Sequence, residues 1–94
     1  MDCKTTSFSR HAFERMFQRG INPNAVAQII AEGVIIANYP DDQPFPSVLL
    51  LAFHGSQPVH AVVAQELTTG NCYLVTIYLP DRTIWDESFK RRRA

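Results

Sequence analysis

The sequence predicts an α+β domain: two N-terminal helices packed on one face of a four-stranded antiparallel sheet. Three observations carry that expectation. Apolar residues recur at helical spacing only as far as Gly33. From residue 34 the chain changes to β-branched and aromatic runs, "VIIANY", "SVLLLAFH", "PVHAVVAQE" and "NCYLVTIYL", separated by turn residues. The links "HGSQP" and "TTGN" have hairpin length, so the strands they join run antiparallel. Two helices covering one sheet face then form two layers around one core.

Each element has its own local reason. Ser9 is a preferred N-cap, and the helix after it places Ala12, Phe13, Met16 and Phe17 on one face and His11, Glu14, Arg15, Gln18 and Arg19 on the other. Gly20 supplies the left-handed residue that ends it. Asn22 caps a second helix, Pro23 suits its first position, and Ile21 can staple onto Val26. Val26, Ile29 and Ile30 form its apolar stripe, and Gly33 closes it. "PDDQPFP", with three prolines, reads as a loop between the first two strands. In the last strand Tyr73, Val75, Ile77 and Leu79 are uniformly apolar and are expected to face the helices. Thr76 and Tyr78 would then share an open face with His60, Cys72 and Leu74.

Ninety-four residues make a single domain, residues 1–94, with residues 1–8 as an N-terminal extension and 86–94 as a basic tail. Trp85 and Phe89 could anchor that tail before its end frays into disorder. The apolar and charged fractions, 46% and 19%, are ordinary globular values, and no run has the length of a membrane span. A membrane partner is therefore not expected, and without a signal-like N-terminus the expected setting is the cytoplasm. Cys3 and Cys72 lack a CxxC partner and read as reduced thiols. Net charge is zero, yet all nine basic residues lie at positions 4–19 or 82–93. If the two ends meet, a neutral chain carries a local positive patch.

His11, Arg15 and Arg19 are spaced by four and form a stripe on the first helix. At the second helical position the dipole and Arg15 favour an uncharged imidazole, which is a usable general base near neutral pH. Arginine beside such a base can hold a phosphate and offset charge developing in phosphoryl transfer. His60, Thr76 and Tyr78, on one sheet face, could orient a nucleotide by stacking and hydroxyl hydrogen bonds. The blander reading is that the stripe is a solvated face, with Arg10 and Glu14 as a weak surface pair, and that the strand residues are structural. No histidine or cysteine spacing matches a zinc ligand pair, so neither a metal nor a cofactor is expected.

"SRHAFERMFQRGI", the "NP" helix start, the "GVII" exit, "VHAVVA" and "LVTIYLPDRTIW" together resemble domain-of-unknown-function family 4258 over residues 8 to 85. The layout of that family looks like the RelE-like and barnase-like ribonuclease toxins. The resemblance implies catalytic roles for His11, Arg15 and His60 and substrate-binding roles for Arg19, Thr76 and Tyr78. The expected function is a metal-independent ribonuclease or RNA-binding, toxin-like domain with RNA as partner. The alternative is a noncatalytic module of a toxin-antitoxin or phage system, with a protein partner such as an antitoxin.

Overall fold

Residue patterning and turn chemistry produce seven elements in the computed structural model, which describes residues 1–93. They are β1 (Thr6–Phe8), α1 (Arg10–Gln18), α2 (Pro23–Glu32), β2 (Val34–Tyr39), β3 (Ser47–His54), β4 (Gln57–Gln65) and β5 (Cys72–Tyr78). Ala94, the last residue of the basic tail, lies outside the described residues.

Both helices start as their caps dictate. Ser9 Oγ accepts from the Ala12 N–H at 3.0 Å, and Asn22 Oδ1 accepts from the Ala25 N–H at 2.8 Å. Gly20, at φ 66°, provides the left-handed exit from α1. Ala12, Met16, Ile21, Val26, Ile29 and Ile30 are buried in one cluster with Leu50, Val59, Ala61, Val63, Leu74 and Ile77 of the sheet.

The sheet is five-stranded and mixed, in the order β1-β5-β4-β3-β2, which corrects the four-stranded antiparallel expectation while leaving the α+β class intact. The missed strand is β1, which pairs parallel to β5 with Thr6 opposite Cys72 and Phe8 opposite Leu74. Three residues are too few to show a period of two, and the partner lies more than sixty residues away.

The same pairing corrects the reading of the cysteines, because it brings the residues before β1 alongside β5. Cys3 and Cys72 form a disulfide with their Cα atoms 5.5 Å apart. The backbone bonds Lys4 N–H to Gly70 and Cys72 N–H to Thr5 hold the two segments in register around it.

A bulge decides which β5 side chains face the helices. Val62 pairs with Thr76 but Val63 pairs with Leu74, so Val75 is an extra residue on β5. Cys72 and Leu74 before the bulge and Ile77 after it therefore all join the helix-side core. The expected assignment of Tyr73, Val75, Ile77 and Leu79 to that side holds for Ile77 and Leu79 and fails for Tyr73 and Val75.

The opposite sheet face is covered in part, with Phe53 and Val75 left exposed. Trp85 of the C-terminal segment packs edge-on against His60 with ring centroids 4.5 Å apart, and Phe45 of the β2–β3 loop stacks on Tyr73 at 5.4 Å. Segment 84–93 folds back on itself through Asp86 N–H to Arg91 C=O and Arg93 N–H to Ile84 C=O.

Candidate functional site

Three successive bonds fasten the start of α1 to the bulged stretch of β5. The Ser9 N–H donates to the Leu74 carbonyl at 3.1 Å, and the Ser9 hydroxyl donates to the Val75 carbonyl at 2.9 Å. His11 Nε2 then lies 3.0 Å from Thr76 Oγ1. β1 ends at Phe8, so the edge of β5 beyond Leu74 is free to receive this turn of helix. Ser9 thus acts as both helix cap and sheet anchor.

The imidazole of His11 is exposed although its position is fixed. A hydroxyl can donate to a bare ring nitrogen or accept from a ring N–H, so the contact forms with either tautomer of His11. One turn on, Arg15 is exposed, with Arg19 a further turn along. Arg10 is engaged by Glu14 at 3.3 Å, a solvated pair worth a few tenths of a kcal/mol. Among the described residues Arg15 and Arg19 have no acidic partner.

His60 stands apart from this group. It is fully buried, and both ring nitrogens are in use. Nε2–H donates to the Phe89 carbonyl at 2.7 Å, which leaves Nδ1 to accept from the Tyr78 hydroxyl at 3.2 Å. Burial pushes its pKa below the ordinary value, and the bond to Phe89 opposes that shift. The ring is a neutral link between β4, β5 and the C-terminal segment. Phe89 adopts φ 60°, a conformation that costs a non-glycine residue about 1–2 kcal/mol and is held here by this bond. Burial also raises the pKa of the Tyr78 phenol, with the Tyr39 phenol adding to the effect and Arg92 opposing it.

The six residues expected to form one site therefore fall into separate groups. His11 and Thr76 are in contact, with Arg15 and Arg19 extending the basic stripe along α1. His60 and Tyr78 form a second pair, linked to the first because Thr76 and Tyr78 lie two residues apart on β5. Arg92 acts on Tyr78, so the basic C-terminal segment reaches the same stretch of strand. Among the described residues no group of three His, Cys, Asp or Glu side chains could hold a metal ion, and no helix is long and apolar enough to cross a membrane.

Residues that the motifs did not mark also line this surface. Beside Thr76, Val75 forms one end of a cleft walled by the 42–45 loop. On the other side of α1, Phe13, Met16, Phe17, Ile21 and Pro23 line an apolar groove, with Phe17 83% exposed. The face expected to hold Ala12, Phe13, Met16 and Phe17 together is therefore buried only along Ala12 and Met16. Ala12, Met16 and Ile21 fill the inward side, so the phenylalanines are left on its flank.

A family model, Domain of unknown function (DUF4258), matches residues 8–79, most of the chain. The chain belongs to this DUF4258 family. The match contains α1, the bulge and both histidine pairs, so the seam between helix and strand is part of the family domain. No curated protein and no solved structure matches the chain, and the expected likeness to ribonuclease toxins has no structural neighbour behind it.

Proposed function

We propose that this DUF4258 chain engages an RNA phosphodiester where α1 meets the free edge of β5, and cleaves it without a metal. The observation that carries the reading is the exposed His11 imidazole held 3.0 Å from Thr76 Oγ1, beside a helix N-terminus and one turn before an unpaired arginine. His11 takes the proton of a ribose 2′-hydroxyl, and the 2′-oxygen attacks phosphorus. The bond to the 5′-oxygen breaks, and that oxygen takes a proton from water. Arg15 holds the phosphate, and Arg19 contacts the next one along the chain. His60 keeps Tyr78 and the C-terminal segment in place behind the site. A neutral chain suits a short contact more than wrapping of bulk RNA.

The Cys3–Cys72 bond suits an oxidising setting, and in a cytoplasm that keeps thiols reduced the reading requires the fold to outlast its loss. The test is incubation of purified protein, in EDTA, with a labelled single-stranded RNA and its all-deoxy counterpart. The expected result is cleavage of the RNA alone, slowed by about 10²–10⁴-fold in His11→Ala. Intact RNA with wild type, or equal cleavage by the variant, refutes the proposal.

A noncatalytic role with a protein partner such as an antitoxin is the second reading, favoured by the exposed Phe13 and Phe17. It predicts intact RNA in the same assay.

A further inference from the structure

A cleft on the covered face of the sheet is a feature that the RNA reading does not use. It has a volume of about 350 Å³ and is lined by Asp42, Phe45, Ser47, Ala64, Tyr73 and Val75. Phe45 and Tyr73 stack at 5.4 Å with their planes 17° apart, and both are half-buried, so the pair presents aromatic surface to the cleft. Such surface accepts the flat face of a nucleobase without regard to its identity.

Asp42 supplies what could tell bases apart. The hydroxyl of buried Ser47 donates to Asp42 Oδ2 at 2.5 Å, which orients the carboxylate and leaves Oδ1 and the second lone pair of Oδ2 available. A carboxylate accepts and does not donate, so it selects a ring edge that offers N–H groups. Of the four RNA bases, guanine alone presents two neighbouring N–H donors on its pairing edge, the match for two carboxylate oxygens.

Position completes the argument. The cleft ends at Val75, and the next residue, Thr76, holds His11. The end of the cleft and the residue that holds the imidazole are thus neighbours on β5.

We infer that the cleft between the 42–45 loop and β5 is a base-binding site selective for guanine, juxtaposed through Val75 and Thr76 with the phosphate site at His11. The inference rests on the RNA reading for the position of the phosphate but makes its own prediction about base preference.

The experiment is an amide NMR titration of the whole chain with the hexanucleotides U6 and U2GU3, and separately with 5′-GMP and 5′-UMP. Wild type is compared with Asp42→Asn, Phe45→Ala and Arg15→Ala, each checked for a native spectrum. Wild type is expected to bind U2GU3 about tenfold more tightly than U6, with shifts at Ser47, Tyr73 and Val75. Asp42→Asn should abolish that ratio. Phe45→Ala should weaken U2GU3, and Arg15→Ala should weaken both hexamers and preserve their ratio. Equal binding of both hexamers by wild type, unchanged in Asp42→Asn, overturns the base site and leaves the RNA reading standing. GMP binding in the cleft without hexamer binding keeps the base site and removes the RNA reading, identifying a free nucleotide as the ligand. If no probe binds, both fall.

Discussion

Exchange of His60 for phenylalanine separates the histidine's hydrogen bonds from its packing. The variant keeps a flat ring against Trp85, whose centroid is 4.5 Å away, but removes both nitrogens. The Phe89 carbonyl and the Tyr78 hydroxyl then lose the partner that each has at 2.7 and 3.2 Å. A buried polar group left unpaired costs about 1–3 kcal/mol, and half-buried Tyr78 can turn towards water, so about 2 kcal/mol is expected for the pair at pH 7.5. Wild type carries a pH dependence that the variant lacks. Because burial holds the His60 pKa below its ordinary 6.5, the unfolded chain takes up this proton more readily than the folded one. The stabilisation is complete above about pH 6.5 and declines as the pH falls towards the folded-state value, by at most about 1.4 kcal/mol per pH unit. Asp81 and Asp86 are held below the usual 3.8, chiefly by hydrogen bonds from the Thr83 backbone and the Ser88 side chain, and so act at lower pH. Urea unfolding followed by the fluorescence of Trp85, the single tryptophan, at several pH values between 7.5 and 5.0 measures the difference directly. The gap between wild type and His60→Phe should narrow as the pH drops. A gap that stays constant, or a variant as stable as wild type at pH 7.5, would refute the account of His60 as a neutral buried link.

Three further outcomes follow from packing and chain connectivity. Cys3→Ser combined with Cys72→Ser removes a cross-link spanning 69 residues and should lower stability by about 4 kcal/mol by the chain-entropy estimate, yet leave a folded domain, as thermal unfolding with and without reductant will show. Gly33→Ala would place its methyl 2.7 Å from the Ile29 carbonyl and 3.2 Å from Leu50 Cβ, so a loss of about 1–3 kcal/mol is expected in denaturant titration. Ser9→Ala loses the cap of α1 and the bond to Val75 together; a cost of about 1–2 kcal/mol and faster amide exchange in the first turn of α1 are the signs to measure.

Both helices and the four long strands were legible because each announces itself within a few residues. Ser9 and Asn22 cap where they stand, Pro23 opens α2, and the strand runs are β-branched. Long-range effects were not legible. β1 exists only through its pairing with β5, and the disulfide is a consequence of that pairing. The inward side of β5 followed strict alternation until Val75 interrupted it. For the candidate site, helical spacing correctly placed His11 and Arg15 on one side of α1, but no pattern could show that His11 meets Thr76, 65 residues away. His60 looked like a reactive group because sequence displays the side chain and not the Trp85 ring that closes over it. The cleft at Asp42 was hidden for a related reason: its segment reads as a proline-rich connection, and only folding carries Phe45 onto Tyr73.

Val75 has a weight out of proportion to its size. Were it deleted, the pairs Val62–Thr76 and Val63–Leu74 would close into a regular ladder, with the hydroxyl of Thr76 still outward and Ile77 still inward. What would go with it is the carbonyl that receives the Ser9 hydroxyl, one of the ties between α1 and the strand. A chain one residue shorter at this point can therefore keep the same inward and outward side chains while giving up a fastening point for its first helix.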